Sequence, residues 1–119
     1  MKAEENEIGK LLMQFGISPS ILGYSYLKTA ISIAIKDTTC WRMLTKSLYP
    51  MVAAQHGTTP SRAERAMRHA IETAYYKGNK ELLNSIILVQ NVNKNKATVG
   101  EFIAGVAEHY RIWGDFNER

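Results

Sequence analysis

The chain has 119 residues, of which 45% are hydrophobic and 22% are charged, and its formal net charge at pH 7 is +4. This length predicts a single domain over residues 1–119, with a core that needs no cross-links. The apolar runs are too short to span a bilayer, and the acidic start does not fit a secretory signal. One cysteine, Cys40, excludes an internal disulfide and favours a cytoplasmic protein with this thiol buried.

Apolar residues that recur every three or four positions predict helices along the chain. A first helix covers residues 4–15 and ends at Gly16, and a turn from Ser18 is closed by Gly23. Further helices are expected over about residues 24–36, 40–48, 80–89 and 101–113. No alternating pattern with hairpin turns is present, so we expect an all-α fold, a compact bundle of about six helices.

Residues 50–76 carry the spacing of a helix-turn-helix. A short helix begins at Pro50 and ends at Gly57, where glycine permits the positive φ of a tight turn. Ala53 in the first helix and Ala63 in the second are small, so the two helices can cross closely. This arrangement predicts that the second helix enters a DNA major groove with its N-terminal residues near the base edges.

The second helix of this motif has two different faces. Thr59 is the predicted N-cap, Pro60 suits the first helical position, and Gly78 ends the helix. Residues on one side are apolar: Ala63, Ala66, Met67, Ala70, Ile71, Ala74 and Tyr75. The span Thr59–Lys80 holds five Lys/Arg and two Glu, and five minus two is +3 of the total +4. The concentrated charge indicates a polyanionic partner.

The same stretch resembles a known family. Leu48-Tyr-Pro, followed by Ser61-Arg-x-Glu-Arg-Ala-x-Arg-His-Ala-Ile-Glu, is similar to the C-terminal effector domain of the stage-zero sporulation master regulator of endospore-forming bacteria. Glu101-Phe-Ile-Ala-x-Val-Ala fits the same family, and the similarity covers roughly residues 8–112. The resemblance implies sequence-specific binding to double-stranded DNA, at a short site with a central C-G step, and a role in transcription regulation.

Candidate site residues follow from this resemblance and from side-chain chemistry. The resemblance implies that Arg62, Glu64 and Arg65 are base readers. Their chemistry fits this role, because arginine matches the guanine edge and a carboxylate accepts a hydrogen bond from cytosine. The alternative is a solvated face on which Glu64 pairs with a basic residue one turn later. Backbone contacts are expected from the nearby polar residues Ser61, Arg68 and His69. For His69, packing at the core edge is the alternative.

Other residues of this region receive weaker interpretations. Lysines further along could touch the DNA backbone: Lys77, Lys80, Lys94 and Lys96. Tyr75 and Tyr76 could stack on bases, but their spacing favours packing in the core. A nuclease that uses His69 and Glu72 is an alternative class. No pair of histidines has metal-ligand spacing, and the sequence has no Gly-rich phosphate loop and no Ser-x-Gly elbow, so we expect no metal, no cofactor and no enzyme.

A third class is a protein-interaction module that does not use DNA binding, or a stand-alone domain that competes with a longer regulator for its sites without activating transcription. The family's regulator carries a receiver domain, and this chain is expected to contain none. The resemblance also implies homodimer or tandem binding on DNA, with the tail from Ile112 as a contact surface. Residues 80–90 depart from the family segment that contacts the polymerase sigma subunit, which leaves that partner open.

Overall fold

The computed structural model describes residues 2–37, 39, 42–87 and 96–114. Within these ranges every regular element is helical, which confirms the all-α prediction. The elements are α1 (Lys2–Phe15), α2 (Leu22–Lys36), a π-helical turn (Leu44–Leu48), α3 (Tyr49–His56), α4 (Pro60–Lys77), α5 (Lys80–Ile86) and α6 (Val99–Trp113). Of these helices, none is both long and apolar enough to cross a membrane.

Helix α2 lies at the centre of the bundle and packs against α1, α4 and α6. Its apolar stripe is completely buried at Leu27 and Ile31. Phe15 of α1 and Phe102 of α6 meet edge to face, with ring centroids 5.6 Å apart. Burial of each such large side chain contributes about 1.5–3 kcal/mol to folding, so this core holds the surrounding helices in fixed positions.

The start of α2 corrects one prediction. Gly23 does not close a turn, because the helix already begins at Leu22 and Gly23 is buried within it. A Cβ atom at this position would overlap the backbone carbonyl of Ala66 and lie 2.9 Å from Cβ of Ala70. Glycine is therefore needed here so that α2 and α4 can cross in close contact.

The predicted helix over residues 40–48 is only partly correct. Cys40 and Trp41 lie outside the described residues, so the expected burial of that thiol stays a prediction. The observed element is a π-helical turn, in which the N–H of Leu48 donates to the carbonyl of Met43 over 3.3 Å. One extra residue per turn re-aims the chain into α3, and such turns are frequent at functional sites.

The last two helices differ from the prediction at their ends. Helix α5 ends at Ile86 rather than at residue 89, because Ile87 adopts an extended backbone. Helix α6 begins at Val99 instead of 101, because Thr98 and Glu101 form a reciprocal capping box. Glu101 is therefore the third residue of this helix, and the box stabilises its first turn.

Two glycines join α1 to the end of α4. Gly16 has a φ of 104°, which ends α1 as predicted. Gly78 ends α4 with a φ of −93°, so this glycine is not needed for a left-handed backbone conformation. A Cβ at Gly78 would overlap the carbonyl oxygens of Phe15 and Ala74, which explains the glycine. The next N–H, from Asn79, donates to Phe15 over 3.1 Å and fixes the exit of α4.

Candidate nucleic-acid interface

Helix α4 begins as its sequence predicts. The hydroxyl oxygen of Thr59 accepts a hydrogen bond from the backbone N–H of Arg62 over 3.2 Å, and Pro60 occupies the first turn. The carbonyl of Thr59 also accepts from the N–H of Ala63 over 2.9 Å. These bonds satisfy amides that a helix start leaves open, and they define the direction in which α4 leaves the turn.

One face of α4 is buried against the bundle. Six of the seven predicted apolar positions are buried, namely Ala63, Met67, Ala70, Ile71, Ala74 and Tyr75, and the seventh, Ala66, is half-buried beneath Gly23. Four of the seven are alanine, so α4 sits close to its neighbours. Because this face is committed to the core, the opposite face must point to solvent.

The opposite face collects the predicted site residues near the N-terminal half of α4. Five of them are exposed: Ser61, Arg62, Arg65, Arg68 and His69. Glu64 is half-buried at the boundary between the two faces. Since the His69 side chain is exposed, its alternative placement at the core edge is wrong. The face therefore presents three guanidinium groups, an imidazole and a hydroxyl on one surface.

Glu64 and Arg68 form the ion pair that the alternative interpretation expects. Nε of Arg68 lies 3.7 Å from Oε2 of Glu64, one helical turn apart. A partly exposed pair at this distance is worth only a few tenths of a kcal/mol. This ion pair is therefore weak enough for both side chains to leave it and contact a ligand instead.

A cleft of about 300 Å³ runs along this face and includes two residues that the sequence did not assign to the site. Thr45 of the π-helical turn and Tyr49 of α3 line it together with Ser61, Glu64 and Arg65. Burial raises the pKa of Tyr49 to about 12, and the Glu64 carboxylate adds to this shift. Tyr49 therefore remains a neutral phenol.

The turn that precedes α4 has the geometry of a helix-turn-helix. Gly57 has a φ of 64°, and the N–H of Thr58 donates to the carbonyl of Ala53 over 3.0 Å. Ala53 and Ala63 are both buried where α3 packs against α4. The predicted spacing of small residues around this glycine is confirmed.

Residues further along α4 do not join the same surface. Tyr75 is buried as expected, but Tyr76 is 83% exposed, so its predicted core packing is wrong. The apolar face of α4 already includes Ala74 and Tyr75, and Tyr76 lies about 100° further around the helix, outside that face. Lys77 and Lys80 are exposed, and Lys94 lies outside the described residues.

The pair considered for a nuclease has another partner. Glu72 binds Nζ of Lys96 over 2.9 Å, and this hydrogen bond lowers the pKa of the Glu72 carboxyl. An ionised, cation-bound carboxylate is a poor general base, and His69 projects into solvent without a pocket. Over the described ranges, no cluster of three His, Cys, Asp or Glu side chains could hold a metal ion. Glu72 is therefore engaged by Lys96.

Comparison with known families gives one match that covers most of the chain. Residues 8–110 match the family described as Sporulation initiation factor Spo0A C terminal. The matched range contains the whole helix-turn-helix and every candidate residue of α4.

Proposed function

The chain belongs to the Spo0A C-terminal family, whose members are DNA-binding effector domains of sporulation initiation, and from this premise we propose that α4 reads a specific sequence in double-stranded DNA. The supporting observation is the exposed face of α4, on which three arginines surround one carboxylate. A surface that bound only phosphate would gain nothing from that carboxylate, since it repels the DNA backbone.

In this proposal Arg62, Glu64 and Arg65 contact base edges. The planar guanidinium forks of Arg62 and Arg65 match the O6 and N7 atoms of guanine. Glu64 accepts a hydrogen bond from the exocyclic amine of cytosine, which fits a site with a central C-G step. The weak contact of 3.7 Å between Glu64 and Arg68 costs little to give up on binding.

Ser61, Arg68 and His69 hold the sugar–phosphate backbone. Ser61 lies in the first turn of α4, where backbone N–H groups and the helix dipole favour an anion. Arg68 and His69 are exposed about two turns further along α4, so in this proposal they contact a different phosphate from Ser61. Contacts of this kind orient a protein on the duplex and carry no sequence information.

The roles can be separated with glutamate variants and duplexes changed at one base. We expect wild-type protein to favour cytosine by about 1–3 kcal/mol at the position that Glu64 reads. Glu64→Ala removes this preference and does not weaken binding to a scrambled duplex, because a repulsive charge has gone. Glu72→Ala, the control on the same helix, keeps the preference. Retention of the cytosine preference by Glu64→Ala would contradict the proposed role.

The finer assignments of place and partner rest on the same family. We propose a cytoplasmic transcription regulator whose copies bind in tandem on DNA and contact each other through the end of α6. Ile112 is 63% exposed and Trp113 is 53% exposed, and with Ile86 and Gly105 they line a groove of about 720 Å³. Unchanged cooperativity on tandem sites after removal of residues 113–119 would dismiss this contact.

The polymerase sigma subunit is the other partner that the family suggests. In the segment that contacts sigma in the family, helix α5 of this chain exposes polar residues to solvent, namely Lys80, Glu81, Asn84 and Ser85. A domain that binds DNA without this contact would act by occupying the site. In vitro transcription from a promoter with the family-type site separates the two roles: activation supports the sigma contact, and repression supports competition.

A further inference from the structure

A histidine outside the DNA-facing surface makes a hydrogen bond and a ring contact next to the turn of the helix-turn-helix. His56 is the last residue of α3, and its Nε2 atom is hydrogen-bonded to Oγ1 of Thr29 over 2.8 Å. Its ring also packs on Tyr26, with ring centroids 4.8 Å apart. Thr29 and Tyr26 both belong to the central helix α2, so His56 ties the turn to the core.

Because His56 lies at the end of α3, its contact with α2 also affects the orientation of α4. Only residues 57–59 separate the end of α3 from the start of α4. Within them Gly57 is in left-handed backbone, Thr58 bonds to Ala53, and Thr59 caps α4. A chain this short and this fully hydrogen-bonded transmits the orientation of α3 directly to α4.

Helix α2 thus contacts α4 directly and also holds the end of α3, from which the turn leads into α4. Near the middle of α4, Gly23 lies against the backbone of Ala66 and sets the distance between the helices. At the turn, Thr29 and Tyr26 hold His56. The buried face of α4 holds the helix on the bundle, and the contact at His56 adds a restraint on the direction of its N-terminal end.

We propose that His56 is a positioning residue for sequence recognition, holding α4 in the orientation that base contacts require. This inference rests on the proposed function. Bidentate contacts to bases need narrow distances and angles, whereas non-specific attraction depends mainly on charge. Loss of the His56 contact therefore lowers affinity for the specific site and leaves affinity for other DNA unchanged.

The size of the effect follows from the hydrogen bond. A neutral hydrogen bond contributes about 1 kcal/mol, which corresponds to roughly a fivefold change in the ratio between the orientation it favours and the others. Affinity for the site falls in proportion to the population that can bind, which falls by the same factor at most. We therefore expect a loss of up to about fivefold.

Four forms of the full chain test the proposal: wild type, His56→Leu, His56→Gln and His109→Leu. Glutamine restores a polar atom near Nε2 and offers either a donor or an acceptor. His109 on α6 is the matched control for removal of an imidazole. Each form is titrated with a duplex carrying one family-type site and with a scrambled duplex, and hydrogen exchange of the Thr58 amide is followed without DNA.

The expected result is a loss of up to about fivefold on the specific duplex for His56→Leu, with recovery in His56→Gln and none of this loss in His109→Leu. Exchange of the Thr58 amide accelerates in His56→Leu alone. The proposal is overturned if His56→Leu keeps the wild-type ratio of affinities, if it loses both affinities equally, or if glutamine gives no recovery. Equal binding of wild type to both duplexes is a separate result, which removes the proposed function and this inference with it.

Discussion

Substitution of Gly23 by alanine tests how closely α2 and α4 are packed. The added Cβ would overlap the backbone carbonyl group of Ala66, which cannot rotate away as a side chain could. Overpacking of this kind costs about 1–3 kcal/mol, and the better helix propensity of alanine returns up to about 1 kcal/mol. We therefore expect Gly23→Ala to lower the free energy of unfolding by up to roughly 2 kcal/mol, and to leave the protein about 1–3 kcal/mol less stable than Gly9→Ala does.

Urea unfolding at equilibrium measures this change, and the unfolding midpoint should fall without a change in the m-value. Gly9→Ala is the matched control, since Gly9 is also buried within a helix. There the nearest atom to an added Cβ is the hydroxyl oxygen of Tyr24, at the movable end of a side chain. Gly9→Ala should be neutral or stabilising. If Gly23→Ala is as stable as Gly9→Ala, the two helices do not cross as closely as described.

Three further substitutions address the cap, an ion pair and the backbone contacts. Thr59→Ala should cost about 1 kcal/mol of stability through loss of the N-cap, whereas Thr58→Ala, whose hydroxyl caps nothing, should cost much less in the same urea titration. Lys96→Ala should lower the urea midpoint at pH 7. This difference should vanish as the pH falls through the lowered pKa of Glu72, because that carboxylate stabilises the fold only while it is ionised; a pH-independent difference would contradict the pairing. Arg68→Ala should weaken binding to specific and scrambled duplexes alike and reduce the salt slope by about 1, and a selective loss on the specific duplex would assign Arg68 to base reading instead.

Helix α4 could be predicted almost completely because each of its features depends on local sequence. Its apolar stripe sets which face is buried, and Thr59 with Pro60 marks its start. The polar face then follows from the helical period alone. The error at Tyr76 arose because the three consecutive residues Ala74, Tyr75 and Tyr76 cover about 200° of the helix, which is wider than its apolar face.

Features that depend on contacts between distant segments could not be read from the sequence. Gly23 looks the same whether it closes a turn or lies against another helix, and only the position of α4 distinguishes these cases. Thr29 and His56 are 27 residues apart, and nothing in their spacing pairs them. By contrast, the start of α6 could have been found, since Thr98 and Glu101 have the spacing of a capping box.

The central claim, that α4 reads base sequence, is tested most directly by titrating duplexes at two salt concentrations. One duplex carries the family-type site and the other a scrambled version, with Arg65→Ala and Lys77→Ala as variants. The account predicts a wild-type preference for the site, which Arg65→Ala reduces by about 1–3 kcal/mol and Lys77→Ala leaves unchanged. Equal and strongly salt-dependent binding of wild type to both duplexes would contradict it, because such binding requires only a positively charged face.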